Sequence, residues 1–423
     1  MLKKILGTAF TRLLSAIAGF AVLILNARQL GADGVGEIGL LIIGIAILHG
    51  LSGFFGGSSL VYLASKRDNF TLYSISLIWG FLTTSIGTLI LSLLGMLPEA
   101  FIIHTALLSL LLITTSTQQM FLLGHERITL FNISTLIQSI SLPISLFISF
   151  FILKNSTVNA FVNTLYISYG LGFLSSIFTT LQYLSFGKFI ELKSCLRDLV
   201  KFGGSIQLAS LFQTLNYRLS YYLLKASWGM ASLGRFDVGV KLSEGLWLIG
   251  KSIALIQYSS ISNQTDMEIN RRITIIFFKA SLLFTILGIG LLLLIPESSL
   301  IWVFGASFTG VRLSLILLSP GILAIATGMV FSHYFSGSGK PFYNTVGSAI
   351  GVVFIAITGI YFIPKFGLPA AASCTSVSYL ASLIYLMSRF CRVTNTLVTD
   401  FIPTSADFIS FIAQLRLKAK SVE

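Results

Sequence analysis

The sequence predicts an all-α integral membrane protein with about twelve transmembrane helices in two parallel six-helix lobes. Three observations carry that expectation. Twelve apolar runs fill the 423 residues from Leu6 to about Met387 with short polar interruptions. Each reaches the roughly 20 residues that a helix needs to cross a hydrocarbon core about 30 Å thick. Composition agrees, with 55% hydrophobic residues, 10% charged residues and a mean hydropathy of +0.89. The longest inner connection, 185–201, carries six charges (Lys188, Glu191, Lys193, Arg197, Asp198 and Lys201) and divides the runs six and six.

The runs lie at 6–29, 37–64, 71–97, 100–124, 128–153, 158–184, 202–224, 236–261, 273–296, 312–336, 341–363 and 367–388. They are read as helices because lipid offers the backbone no hydrogen-bond partner, and because they are far longer than barrel strands. The expected division is therefore an N-terminal lobe at 1–190, a C-terminal lobe at 191–390 and a tail at 391–423. Lys3 and Lys4 before the first run resemble the start of a signal peptide. Against that reading, no small-residue cleavage site opens onto a soluble domain, and eleven more spans follow.

The net charge of +13 does not mark a nucleic-acid surface, because the basic residues punctuate the spans. With the N-terminus inside, seventeen of the 28 Lys and Arg residues fall on inner segments and six on outer ones (Arg28, Lys154, Lys225, Arg235, Arg312 and Lys365). The other five, Arg12, Arg218, Lys241, Lys251 and Lys279, lie within spans. The positive-inside rule then places both termini in the cytoplasm. The three cysteines, Cys195, Cys374 and Cys391, fall in an inner loop, a late span and the inner tail. No disulfide is expected from them, and no Cys/His spacing fits a metal.

Taken in order, the connections repeat. Gly31-Ala-Asp-Gly-Val-Gly36 follows span 1, and Gly229-Met-Ala-Ser-Leu-Gly234 follows span 7. Gly124-His-Glu-Arg-Ile-Thr-Leu-Phe-Asn132 precedes span 5, and Gly337-Ser-Gly-Lys-Pro-Phe-Tyr-Asn344 precedes span 11. Both equivalences fall six spans apart. Six is even, so the halves share orientation, as two parallel bundles with a substrate path between them. Gly347 and Gly351 in span 11 read as a helix-packing pair. In the tail, Phe408, Phe411, Ile412 and Leu415 recur on one helical face ahead of Arg416, Lys418 and Lys420, as in an interfacial amphipathic helix.

No catalytic kit is visible. There is no Walker A pattern, no zinc motif and no cofactor fingerprint, and the four histidines (His49, His104, His125 and His333) are scattered. A carrier without a nucleotide site draws on an ion or substrate gradient. The intramembrane charges are the informative minority, since each costs about 2.5–3.5 kcal/mol at a helix centre on insertion scales. Span 8 concentrates them: Asp237, Lys241, Glu244 and Lys251, spaced four, three and seven, share a helical face. Arg218, with Asn216 nearby, lies in span 7.

Two readings apply to this set. Arg218, Lys241 and Lys251 form a cationic wall for an anion with an apolar part, or Lys241 simply pairs with Asp237 or Glu244 while Arg218 reaches the headgroups. Lys251 has no carboxylate within a turn and lies near mid-depth, so it is the better candidate for a substrate contact. Arg28 adds a cation at the first outer turn. Glu244 and Asp237 are the candidate ion-coupling acids. Arg12 is read as snorkelling to the inner surface.

The chain resembles the Wzx-type O-antigen flippases of the multidrug/oligosaccharidyl-lipid/polysaccharide flippase superfamily. The resemblance rests on Ala27-Arg28-Gln-Leu-Gly31-Ala-Asp-Gly-Val-Gly36, on Gly124-His-Glu-Arg127 with Asn132, and on Lys201-Phe-Gly-Gly-Ser-Ile-Gln. It continues through Leu211-Phe-Gln-Thr-Leu-Asn216-Tyr-Arg218, Gly239-Val-Lys241-Leu-Ser-Glu244-Gly-Leu-Trp247 and Ile363-Pro-Lys-Phe-Gly367-Leu-Pro-Ala-Ala371. Many relatives place an acid just after the Asn-Tyr-Arg stretch, where this chain has Ser220.

The resemblance implies a two-lobed fold like that of the multidrug and toxic compound extrusion (MATE) transporters. It also implies a flippase for undecaprenyl-diphosphate-linked oligosaccharide in the bacterial inner membrane, working with membrane lipids and alongside polysaccharide polymerase and chain-length proteins. A multidrug exporter or a lipid II flippase of the same superfamily is the alternative. A membrane-embedded glycan polymerase or ligase would carry a large periplasmic loop, whereas the longest outer connection here, 296–311, has about 15 residues. The charge asymmetry yields a direct test. Reporter fusions after Lys188 and at the C-terminus should read cytoplasmic, and one at Ser307 periplasmic; a periplasmic C-terminus would overturn the span count.

Overall fold

A computed structural model describes residues 2–64, 66–184, 189–262 and 266–403. The predicted amphipathic tail helix, with Lys188 in the inner linker, lies outside the described residues. Among those described there is no strand. The helices are α1 (Leu2–Gly56), α2 (Ser58–Leu63), α3 (Asn69–Leu93), α4 (Ile102–Gly124), α5 (Ile128–Phe147) and α6 (Val158–Leu181). They continue with α7 (Leu192–Ser262), α8 (Met267–Leu293), α9 (Glu297–Phe304), α10 (Val311–Gly337), α11 (Phe342–Phe366) and α12 (Leu368–Thr394).

The two longest helices are each a pair of helices joined at a glycine. Gly31 breaks α1 with φ 66° and ψ −169°, and Gly229 breaks α7 with φ 74° and ψ −174°. That backbone region is open in practice only to glycine. Spans 1 and 2 are thus the two arms of α1, with α2 completing the second, and spans 7 and 8 are the two arms of α7. Nine helical stretches among the described residues are long and apolar enough to cross a membrane, the first running through Gly31. The chain is a multi-pass membrane protein. α7 is not among the nine, and it carries Arg218, Lys225, Arg235, Asp237, Lys241, Glu244 and Lys251.

The repeated glycine motif has a physical reason. A Cβ on Gly36 would lie 2.2 Å from the Met230 carbonyl oxygen, and one on Gly234 would lie 1.9 Å from the Ala32 carbonyl oxygen. Met230 and Ala32 hold equivalent places in the two copies, as do Gly234 and Gly36, so the contact is reciprocal. The two motifs pack backbone to backbone against each other.

The chain divides into two compact units. The first comprises Met1–Thr214, Trp228–Asp237 and Leu300–Thr309. Its core joins Ile38, Leu41 and Ile45 of α1 to Leu108 of α4, Leu146 of α5 and Phe161 and Leu165 of α6. The second comprises Leu215–Ser227, Val238–Ser299 and the residues from Gly310 on. There α10 is the most enclosed helix: Val330, Phe331, Tyr334 and Phe335 pack with Phe278 of α8, Phe390 of α12 and Phe401. Gly347 and Gly351 serve packing in this unit. A Cβ on Gly351 would lie 2.2 Å from Asn216 Nδ2, and one on Gly347 3.2 Å from Leu386 Cγ.

Polar groups set the helix ends. The Asp68 carboxylate accepts from Thr71 N at 2.7 Å, Thr157 Oγ1 from Ala160 N at 3.1 Å, and Asp266 Oδ1 from Glu268 N at 2.8 Å, so α3, α6 and α8 begin with satisfied amides. Arg67 holds the start of α7 to the first unit. Its Nε and Nη2 donate to Asp198 Oδ2 at 3.1 and 2.7 Å, and its Nη1 donates to Glu191.

The glycine crossing is directly testable. Gly234→Ala and Gly36→Ala should each lower the melting temperature in detergent, by an overpacking cost of about 1–3 kcal/mol. Gly290→Ala, where a Cβ meets nothing within 4 Å, should leave it unchanged or raise it slightly. Equal effects at all three positions would contradict the reciprocal contact.

Candidate functional site

One charge of span 7 and one of span 8 meet inside the second unit. Arg218, on the first arm of α7, places Nη2 2.8 Å from Glu244 Oε1 on the second arm, and both side chains are about a quarter exposed. Its Nη1 donates to Tyr221 Oη at 2.9 Å, and the guanidinium lies 5.2 Å from the Tyr221 ring centroid. A carboxylate, a phenol oxygen and a ring face thus all act on this arginine. Isolated, either charge would be costly at this depth; as a pair they offset each other.

Three rings cluster on the same elements. Tyr217 and Trp247 lie 4.9 Å apart between centroids, and Tyr379 of α12 meets them edge-on at 5.3 and 6.3 Å. Tyr379 is buried, whereas Tyr217 and Trp247 are half-buried. Trp247 Nε1 has no acceptor among the described residues. An indole N–H that is enclosed and unmatched calls for a partner.

One turn further along, Lys251 is exposed and acts electrostatically on His333 of α10. Nδ1 of His333 lies 2.8 Å from the Met329 carbonyl, to which it can only donate. The Tyr258 ring meets the imidazole edge-on at 6.0 Å. Lys251, His333 and Tyr258 therefore share one region of the second unit.

The remaining predicted residues lie elsewhere. Lys241 is half-buried on the face of α7 that carries Glu244. Asp237 belongs to the first unit, buried against Gly39, whose missing Cβ would sit 3.6 Å from the carboxylate carbon. Arg28 also belongs to the first unit. Its Nε donates to the Val303 carbonyl at 2.7 Å and its Nη2 donates to the Trp302 carbonyl, so it caps the C-terminal end of α9. The structure thus brings together Arg218 and Glu244, and separately Lys251 with His333, while Arg28 and Asp237 have their own surroundings.

Several polar features escaped the sequence reading. His333 had no neighbour in sequence to mark it, and the Tyr217, Trp247 and Tyr379 rings come from three stretches. In the first unit, Ser176 Oγ donates to Gln118 Oε1 at 2.5 Å, and Gln118 Nε2 donates to Tyr73 Oη at 3.3 Å. Gln119 Nε2 donates to Ser134 Oγ at 3.2 Å. Two adjacent glutamines inside an apolar span were the only signal. A cavity of about 740 Å³ opens beside Arg67, Asn69, His125, Arg127 and Tyr183 in the loops of that unit. Burial first and the neighbouring Arg127 second lower the His125 pKa, which leaves the imidazole neutral around pH 7.

No protein-family model matches the chain, and no curated protein does. Solved structures do match, and the chain is similar to an inward-facing multidrug resistance MATE family transporter of the MOP superfamily, at 14% identity and a TM-score of 0.70 over 90% of this chain and 96% of that one. It is similar to the lipid II flippase MurJ in an inward closed conformation, at 16% identity and a TM-score of 0.68 over 98% and 96%. A MOP superfamily transporter from Pyrococcus furiosus, whose binding pocket is described as of reverse polarity, aligns at 14% identity and a TM-score of 0.66 over 92% and 94%. The fold is therefore the two-lobed helical fold of MATE and MurJ transporters.

The Arg218–Glu244 contact makes a prediction about stability. Arg218→Ala or Glu244→Ala alone should cost about 3–5 kcal/mol, read as a drop in melting temperature, because each leaves a charge without its partner in a low-dielectric site. The double variant Arg218→Met with Glu244→Leu should recover most of that loss. Additive losses would show that the two side chains act independently.

Proposed function

We propose that the chain is a flippase that carries undecaprenyl-diphosphate-linked oligosaccharide repeat units, of O-antigen or a related surface polysaccharide, across the bacterial inner membrane. The observation that carries this reading is the concentration of cationic and aromatic side chains on α7, a helix that is otherwise in an apolar chain. A diphosphate needs cations, a glycan needs hydroxyl partners and ring faces, and a polyprenyl tail needs only lipid. The fold supports the reading, since one similar structure is a lipid II flippase.

In this reading Lys251 and Lys241 attract the diphosphate as mobile point charges. Arg218 is oriented by Glu244 and Tyr221. Glu244 and Asp237 are the acids available for ion coupling, and alternating access of the 1–190 and 191–390 lobes delivers the site to each side in turn. Arg28 is left out, because its donors cap α9. With no nucleotide motif in the chain, the drive is a gradient of an ion or of the substrate itself.

A second reading, lipid II transport, is favoured by the likeness to MurJ over 98% of this chain. Deletion in the native host followed by mass analysis of lipid-linked intermediates separates the possibilities. Accumulated undecaprenyl-diphosphate repeat units, cleared by the wild-type gene and not by Lys251→Ala, are expected. Accumulated lipid II would favour the second reading. Drug sensitivity with no accumulated lipid-linked glycan would favour a multidrug exporter and overturn both.

A further inference from the structure

Resting on the flippase reading and narrowing it, we infer that the second unit holds a glycosyl phosphate on one strip of α7. The Tyr217 and Trp247 rings take the sugar that bears the phosphate, and Lys251 takes the phosphate itself.

The register of the helix is the first support. Glu244, Trp247, Lys251 and Tyr258 are spaced three, four and seven, so they share one face. Trp247 and Lys251 are about 6 Å apart along the axis at the helical rise of ~1.5 Å per residue. A pyranose and the phosphate on its anomeric carbon are adjacent groups, and a ring face one helical turn from an ammonium matches that adjacency.

The second support is which groups are already engaged. The Arg218 charge is offset by Glu244 at 2.8 Å, which makes this arginine a poor sole holder of an anion. Lys251 is exposed, no carboxylate lies within a turn of it, and the neighbouring His333 donates its Nδ1 proton to a carbonyl. The phosphate therefore goes to Lys251. The Arg218–Glu244 pair, one turn from Trp247, offers donors and acceptors to sugar hydroxyls.

The third support is the state of the rings. Tyr217 and Trp247 pack on the core formed by Tyr379, Ala324 and Ile325, yet both keep part of their surface open, and the indole N–H lacks an acceptor among the described residues that a sugar hydroxyl would supply.

The test uses the full chain in lipid nanodiscs and two probes, farnesyl diphosphate and farnesyl-diphosphate-linked N-acetylglucosamine, with Kd measured for each. The wild type should bind the sugar-bearing probe more tightly. Lys251→Ala should weaken both probes by about ten- to a hundredfold, the range of a charged hydrogen bond. Trp247→Leu and Tyr217→Leu should weaken only the sugar-bearing probe, by about two- to tenfold, with the bare diphosphate serving as an internal check of folding. Trp247→Phe should retain the preference. If Trp247→Leu weakens both probes equally, or keeps the sugar preference, or if Lys251→Ala binds the bare diphosphate normally, the inference falls while the flippase reading stands. A wild type that binds neither probe overturns both.

Discussion

Two copies of one glycine motif meet at their backbones, and the composite helices α1 and α7 depend on that meeting. Gly31 and Gly229 each turn the chain through a conformation that a side chain would forbid, and a few residues later Gly36 and Gly234 let each motif approach a carbonyl of the other. In a bilayer, lipid tails are as apolar as leucine, so helices gain little by hiding from solvent. Association rests instead on close packing and on polar contacts. Removing two Cβ atoms at one crossing, those of Gly36 and Gly234, brings the two motifs into backbone contact, and it gives a physical reason for the motif to occur twice, six spans apart.

The same solvent explains the distribution of polarity. Large apolar side chains such as Leu291, Leu294 and Ile357 are exposed, as suits a surface facing lipid, while threonines, serines and glutamines are enclosed. Some of those polar groups are matched across helices: Gln118 with Tyr73 and Ser176, Gln119 with Ser134, Gln257 with Thr274 at 3.0 Å. Each pair ties two helices by groups that lipid cannot satisfy. Neutral pairs of this kind occur in both units. In the second unit a full ion pair, Arg218 with Glu244, joins the arms of α7.

That division bears on function. A charge kept within the membrane for structure is balanced nearby, and Arg218 meets that description through Glu244 and Tyr221. A charge kept for a ligand retains an open side, and Lys251 meets that one. The aromatic rings between them share both characters, since Tyr379 packs while Tyr217 and Trp247 remain partly open. α7 is the least lipid-like of the long helices because it carries Arg218, Glu244, Lys251, Tyr217 and Trp247 at once.

The sequence by itself determined the helical membrane fold, because span length and hydropathy depend only on which residues are consecutive. It also located the two kinks, since the Gly31 and Gly229 motifs stand in line, and it placed the charges on one face of span 8 through the 3.6-residue period. Tertiary structure decided which charges meet. Helical spacing put Lys241 within reach of Asp237 or Glu244, and the fold adds Arg218 of the other arm to Glu244, because the turn at Gly229 lets the two arms meet in the second unit. It likewise set Arg28 against the carbonyls at the end of α9, 274 residues away. It also gathered Tyr217, Trp247 and Tyr379, and Lys251 with His333, from segments that share no periodicity. Contacts of that kind follow from how helices pack, and a linear pattern carries no record of them.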